Sequence, residues 1–215
     1  MNAFRLRKGK NMNLYINNGR LCCRYKNFNV ENLSVILEYR GNHYNKPGVQ
    51  DGEWTIEGDK AKSKVEGVGE VTLAAKKTDG GIAFNATLHT ANEFYPRKCV
   101  RLIINGKIPV RAEKFLYNEV GEEFTLCDHD MLSKSRLTAT VANQKVTAMQ
   151  YVAFKGRTVA RKNYYGVMGA VTFNQHFSVV ELCENGEFTA FADFEENTIY
   201  PNSRLKTDTF FLCIE

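Results

Sequence analysis

The chain lacks the features that mark membrane spans, disulfide frameworks and helical folds. No apolar run approaches the roughly 18 residues that a membrane helix requires. The basic start at residues 1–10 is not followed by an apolar stretch, so residues 1–12 read as a flexible tail and not as a secretory leader. Six cysteines are present, at 22, 23, 99, 127, 183 and 213. Their spacing is irregular and no leader accompanies them, so reduced thiols in a cytoplasmic protein are expected. Cys22-Cys23 falls in a strand, where neighbours point to opposite faces, so one buried and one half-exposed thiol are expected. Prolines are few, at 47, 96, 109 and 201, each near a predicted strand boundary.

Motifs for chemistry are also missing. The chain has four histidines, and none sits in a nucleophile, phosphate-loop or dinucleotide motif. The densest polar cluster is Cys127-Asp128-His129-Asp130. Zinc sites draw paired ligands from two places, and no second pair is found, so neither metal nor cofactor is expected. The carboxylate pairs Glu122-Glu123 and Glu195-Glu196 are adjacent in sequence, which cannot place two groups across a sugar. No complete catalytic site is legible.

Charge does not select a polyanion partner. The net charge of +5 comes from 29 basic and 24 acidic residues spread along the chain. Nucleic-acid binders concentrate Lys and Arg on one face, so no nucleic acid is expected, and the short basic runs at 5–10 and 157–162 read as solvated ends.

What the sequence does contain is alternation. Val71, Leu73 and Ala75 recur at every second position; after Asp79-Gly80-Gly81 the pattern resumes at Ile82, Phe84, Ala86 and Leu88. Residues two apart share a sheet face, and the glycines supply the positive φ of a hairpin turn. Asn17-Asn18-Gly19, Asn105-Gly106 and Glu184-Asn185-Gly186 predict further turns between alternating segments. A dozen or more strands follow. One or two helical turns are expected at most, within 128–139 behind an Asp cap. Strands without helices between them predict an all-β fold, a large antiparallel two-sheet β-sandwich over residues 13–215.

Aromatic rings stack on the C–H faces of sugars, and the candidates for such a platform are Tyr39, His43, Tyr44 and Trp54, with Tyr164-Tyr165 as a second group.

Three stretches resemble the N-terminal β-sandwich domain of the α-galactosidase and raffinose-synthase type glycoside hydrolases. They are Gly69-Glu70-Val71-Thr72-Leu73 through Leu88 and on to Cys99-Val100-Arg101-Leu102-Ile103-Ile104; Lys114-Phe115-Leu116-Tyr117-Asn118; and Tyr165-Gly166-Val167-Met168 through Ile199-Tyr200-Pro201-Asn202-Ser203-Arg204-Leu205. The second is similar to the start of the family's Phe-x-x-Asn-Gly-x-Gln-Ser-Trp segment, and it adds Tyr117 and Asn118 to the sugar-contact candidates. The sequence departs after Asn118, where Glu123 stands in the tryptophan's place, and at Pro201-Asn202-Ser203, where the family has Pro-Gly-Glu. Asn tolerates the left-handed turn that Gly favours, so that turn is expected to survive.

The resemblance implies a non-catalytic accessory domain. In the family both catalytic aspartates lie on a (β/α)8 barrel that follows the sandwich, and a parent protein with such a barrel would resemble a retaining α-glycosidase. The implied partners are a carbohydrate, a catalytic barrel or a homo-oligomer. A free-standing carbohydrate-binding module and a structural or assembly β-sandwich are the alternatives.

Overall fold

The computed structural model describes residues 12–26, 28–39, 48–49, 53–65, 68–91, 100–119, 135–139, 144–157, 163–172, 177–194 and 200–215. They form seventeen strands and no helix. In chain order these are β1 (Asn13–Asn17), β2 (Arg20–Tyr25), β3 (Phe28–Tyr39), β4 (Gly48–Val49), β5 (Thr55–Glu57), β6 (Lys60–Val65), β7 (Gly69–Lys77), β8 (Gly81–Thr90), β9 (Val100–Lys107), β10 (Arg111–Glu119), β11 (Ser135–Ala139), β12 (Lys145–Arg157), β13 (Asn163–Ala170), β14 (Phe177–Cys183), β15 (Glu187–Asp193), β16 (Arg204–Lys206) and β17 (Phe210–Ile214).

Every pairing is antiparallel. On one side the order is β1-β2-β3-β9-β15-β14, ending on the first half of β12, where Lys145 to Ala148 face Cys183 to Val180. On the other it is β5-β6-β7-β8-β17-β13, ending on the second half of β12, where Tyr151 to Arg157 face Gly169 to Asn163. β16 extends the β17 edge of β8. β10 runs along the opposite edge of β12 from Arg157 to Ala148, with register shifts after Ala112 and after Tyr117. Two sheets thus diverge from one long strand pair, and bulges let that pair turn between layers.

The inner faces meet in one apolar cluster. It takes Leu33, Val35, Leu102, Ile104, Val180 and Phe188 from the first sheet and Val71, Leu73, Ile82, Phe84, Phe210 and Leu212 from the second. The alternation of the sequence is the alternation of burial: β9 reads buried at Val100, Leu102, Ile104 and Gly106 with half-buried residues between.

The predicted turns at Asn18-Gly19, Gly80 and Gly186 carry the positive φ expected of them, and so does Asn202, with φ 61°. Four expectations need correction. Asn105-Gly106 is not a turn but the continuing β9. A Cβ on Gly106 would stand 2.5 Å from Phe188 Cζ, so this glycine admits a ring, and the chain reverses after it through Ile108 and Pro109. Residues 135–139 of the predicted helical stretch are strand β11, because β10 offers them an open edge; 128–134 lie outside the described residues. Cys22 and Cys23 are both buried, since Tyr15 on β1 lies directly opposite Cys22 and covers the outer face. Of the predicted tail, Met12 packs against the core, and 1–11 lie outside the described residues.

Candidate binding face

The outer face of the second sheet carries an apolar row. Strand register sets Leu116 of β10 opposite Ala153 of β12, Ala153 opposite Val167 of β13, and Val167 opposite Cys213 of β17. The next row outward is Lys114, Lys155 and Tyr165, and the Tyr165 backbone exchanges both hydrogen bonds with Glu215 at 2.8 Å. Leu116, Val167 and Tyr165 are 38%, 40% and 57% exposed. The side chains border a groove of about 430 Å³. Lys155 Nζ sits 5.7 Å above the Tyr165 ring, a cation–π contact that occupies one ring face. Burial and the neighbouring Glu215 carboxylate push the Cys213 thiol above its ordinary range. It therefore stays protonated at neutral pH and acts as a small apolar group.

The outer face of the first sheet differs. Its charges are matched across strands: Arg101 with Asp193 at 2.9 Å, Lys107 with Glu187 at 3.4 Å and Lys145 with Glu181 at 2.9 Å, while Thr189 donates to Asn105 at 3.0 Å. A surface so satisfied gains little by covering; burying Leu116, Val167 and Tyr165 contributes on the order of 1 kcal/mol each.

Among the described residues, the sugar candidates are not brought together on one surface. Trp54 is buried at 6% exposure inside the core, because the chain before β5 folds its ring beneath the sheet; it offers no face to a ligand. Tyr117 is half-buried and packs against the same core. Asn118 lies on β10 opposite Ser135, with its side chain outside the described set. His43, Tyr44 and the Tyr39 side chain lie outside the described residues, as do Cys127, Asp128, His129 and Asp130. Of the pair Tyr164-Tyr165, Tyr164 faces inward, half-buried against the core, and Tyr165 outward. Arg157, from the basic run at 157–162, pairs with Glu113 at 3.1 Å.

Reading the sequence missed Leu116, Ala153, Val167 and Cys213. β13 carries apolar residues at both parities, Tyr164 and Met168 inward against Tyr165 and Val167 outward, and that double pattern was the available signal. Among the described residues, no three His, Cys, Asp or Glu gather as a metal would need, and no helix is long and apolar enough to cross a membrane. The arrangement on the second sheet can bind by apolar contact; it holds no activated nucleophile.

No protein-family model matches the chain, and no curated protein does. A similar solved structure is that of the Slr1438 protein from Synechocystis sp. PCC 6803, with a TM-score of 0.41 and 8% identity over 86% of this chain and 78% of that one. Likeness at that level informs neither fold nor function.

Proposed function

We propose that this chain is a non-catalytic β-sandwich that docks a protein partner on the outer face of β10, β12, β13 and β17. In the setting that the family resemblance implies, the partner is the catalytic barrel of an α-galactosidase-type glycoside hydrolase. The observation that carries the docking reading is the row Leu116, Ala153, Val167, Cys213, an apolar strip on the outside of a sheet whose inner face is already packed. A free-standing sugar platform has less support. It needs two or more rings on one surface, and the exposed rings among the described residues, Tyr165 and Tyr200, lie near opposite ends of β8, about 30 Å apart by strand rise.

Sedimentation velocity tests the docking. The barrel of an α-galactosidase-type hydrolase, freed of its own sandwich, is mixed with this chain and with the Leu116→Asp and Val167→Asp variants. The expected result is a complex with the unmodified chain, weakened at least about tenfold by either substitution at unchanged melting temperature, the loss of roughly 1.4 kcal/mol or more. A complex indifferent to both substitutions overturns this face as the contact, and no complex with the unmodified chain ends the barrel assignment.

A further inference from the structure

The same sheet has a second region on its outer face, at the β5 end, and it is basic. Lys60, Lys62 and Lys64 alternate along β6 with the buried Ala61, Ser63 and Val65, so the lysines point outward. Register carries this face across the sheet: Lys64 lies opposite Glu70, Glu70 opposite His89, and His89 opposite Arg204; Lys62 lies opposite Thr72, Thr72 opposite Thr87, and Thr87 opposite Lys206. Lys76 follows on β7, opposite Ala83. Arg204 and Lys206 are thus brought over β8 from a part of the chain remote from Lys60 to Lys64. Six cations, Lys60, Lys62, Lys64, Lys76, Arg204 and Lys206, are gathered by the fold onto one surface.

Acidic compensation on this surface is partial. Among the described residues, Glu57 pairs with Lys62 at 2.8 Å, Glu70 lies opposite Lys64, and Glu53 and Asp59 are exposed at the β5 edge. The matched charges on the outer face of the first sheet make the contrast. A net positive field of this kind concentrates polyanions by attraction and by counterion release.

The shape between the charges decides which polyanion. The lysines of β6 and the cations of β16 are separated by three strand spacings, about 14 Å. Between them, beside the exposed Glu70 and His89, lies a floor of short side chains: Thr72, Ala74 and Asn85, half-buried, and Thr87, buried. Single-stranded nucleic acid needs rings on which bases stack. This floor has one, the exposed imidazole of His89; the next ring on the same face, Phe211, is half-buried and leans over Gly81, whose Cβ position would be 2.9 Å from it, so among the described residues no run of rings is offered to successive bases. Hydroxyl and amide groups between two lines of cations suit a chain that presents hydroxyls together with regularly spaced negative groups. We infer that the outer face of β6, β7, β8 and β16 binds an acidic polysaccharide, one bearing carboxylates or sulfates. This assignment is independent of the docking row, whose residues lie on other strands.

Titration calorimetry with a heparin oligosaccharide of about ten sugars tests it, beside a neutral maltooligosaccharide, an oligothymidylate of about twenty nucleotides and phosphatidylserine vesicles. The heparin fragment is expected to bind at roughly 150 mM salt more tightly than every other probe. Affinity is expected to fall at least about tenfold in the Lys64→Glu, Arg204→Glu double variant and several-fold in the milder Lys60→Gln, Lys206→Gln pair, with melting temperatures held. Leu116→Asp, which removes the docking row, should leave this binding unchanged, so failure of either reading is visible separately. Equal or tighter binding of the oligothymidylate or the vesicles overturns the polysaccharide assignment. Absence of heparin binding, or binding that survives both sets of substitutions, also overturns it.

Discussion

Cys23 is fully buried between β1 and β3, and burial, with the neighbouring Cys22 adding to it, pushes its thiol from near 9 up to about 12. The consequence for stability has a definite sign. A raised folded-state value means that the native state keeps its proton where the unfolded chain has lost it. Stability from this group is full below pH 9 and drains away as pH rises toward 12, by up to about 4 kcal/mol. Urea unfolding at stepped pH should show the native protein losing stability over that window more steeply than Cys23→Ala, which lacks the titrating group; parallel slopes would refute the assignment. At this scale the sequence is a poor guide to exposure. Alternation places Cys22 and Cys23 on opposite faces correctly, but it cannot see that Tyr15 covers the outer one. Trp54 is the same lesson. A ring before a short strand reads as well for surface as for core, and only the tertiary contacts decide.

Local hairpins were legible because turn and alternation sit within a few residues of each other, as in β1-β2, β7-β8 and β14-β15. The pairings that build the layers were not. β3 with β9, β9 with β15 and β8 with β17 join strands far apart in the chain, and a half-buried strand's pattern carries no label for its neighbour. The corner of β10 and β12 is the element on which the layers depend, and its tightest point is Gly156. An added Cβ there would lie 2.4 Å from the Arg111 carbonyl oxygen and 2.5 Å from Val110 Cγ1. A backbone oxygen cannot rotate aside as a side-chain tip can. Gly156→Ala should therefore cost about 2 kcal/mol or more by overpacking, against about 1 kcal/mol for Gly19→Ser, whose Cβ meets nothing within 4 Å and which carries only the strain of a side chain at positive φ. Chemical denaturation of the two variants checks the order, and equal losses would show that the corner yields.

Across the whole molecule the two ends of the sequence are interleaved: β8 is held by β16 and β17, β9 by β15, and the resulting core is one cluster containing both Trp54 and Phe210. The chain has a single tryptophan, so its fluorescence reports from the early half of the sequence alone. Phe210, 1% exposed, lies in the last strand opposite Phe84 and Ala170. Phe210→Ala removes a fully buried ring and should destabilise by about 3–5 kcal/mol. If the shared core makes folding cooperative, the loss cannot stay in the C-terminal half. The Trp54 emission change and the far-UV circular dichroism change should coincide in urea, and both should move to lower urea together in the variant. A Trp54 transition that stays in place while the circular dichroism splits into two steps would mean that the halves fold separately, and the interleaved sheets would then hold less of the stability than their register implies.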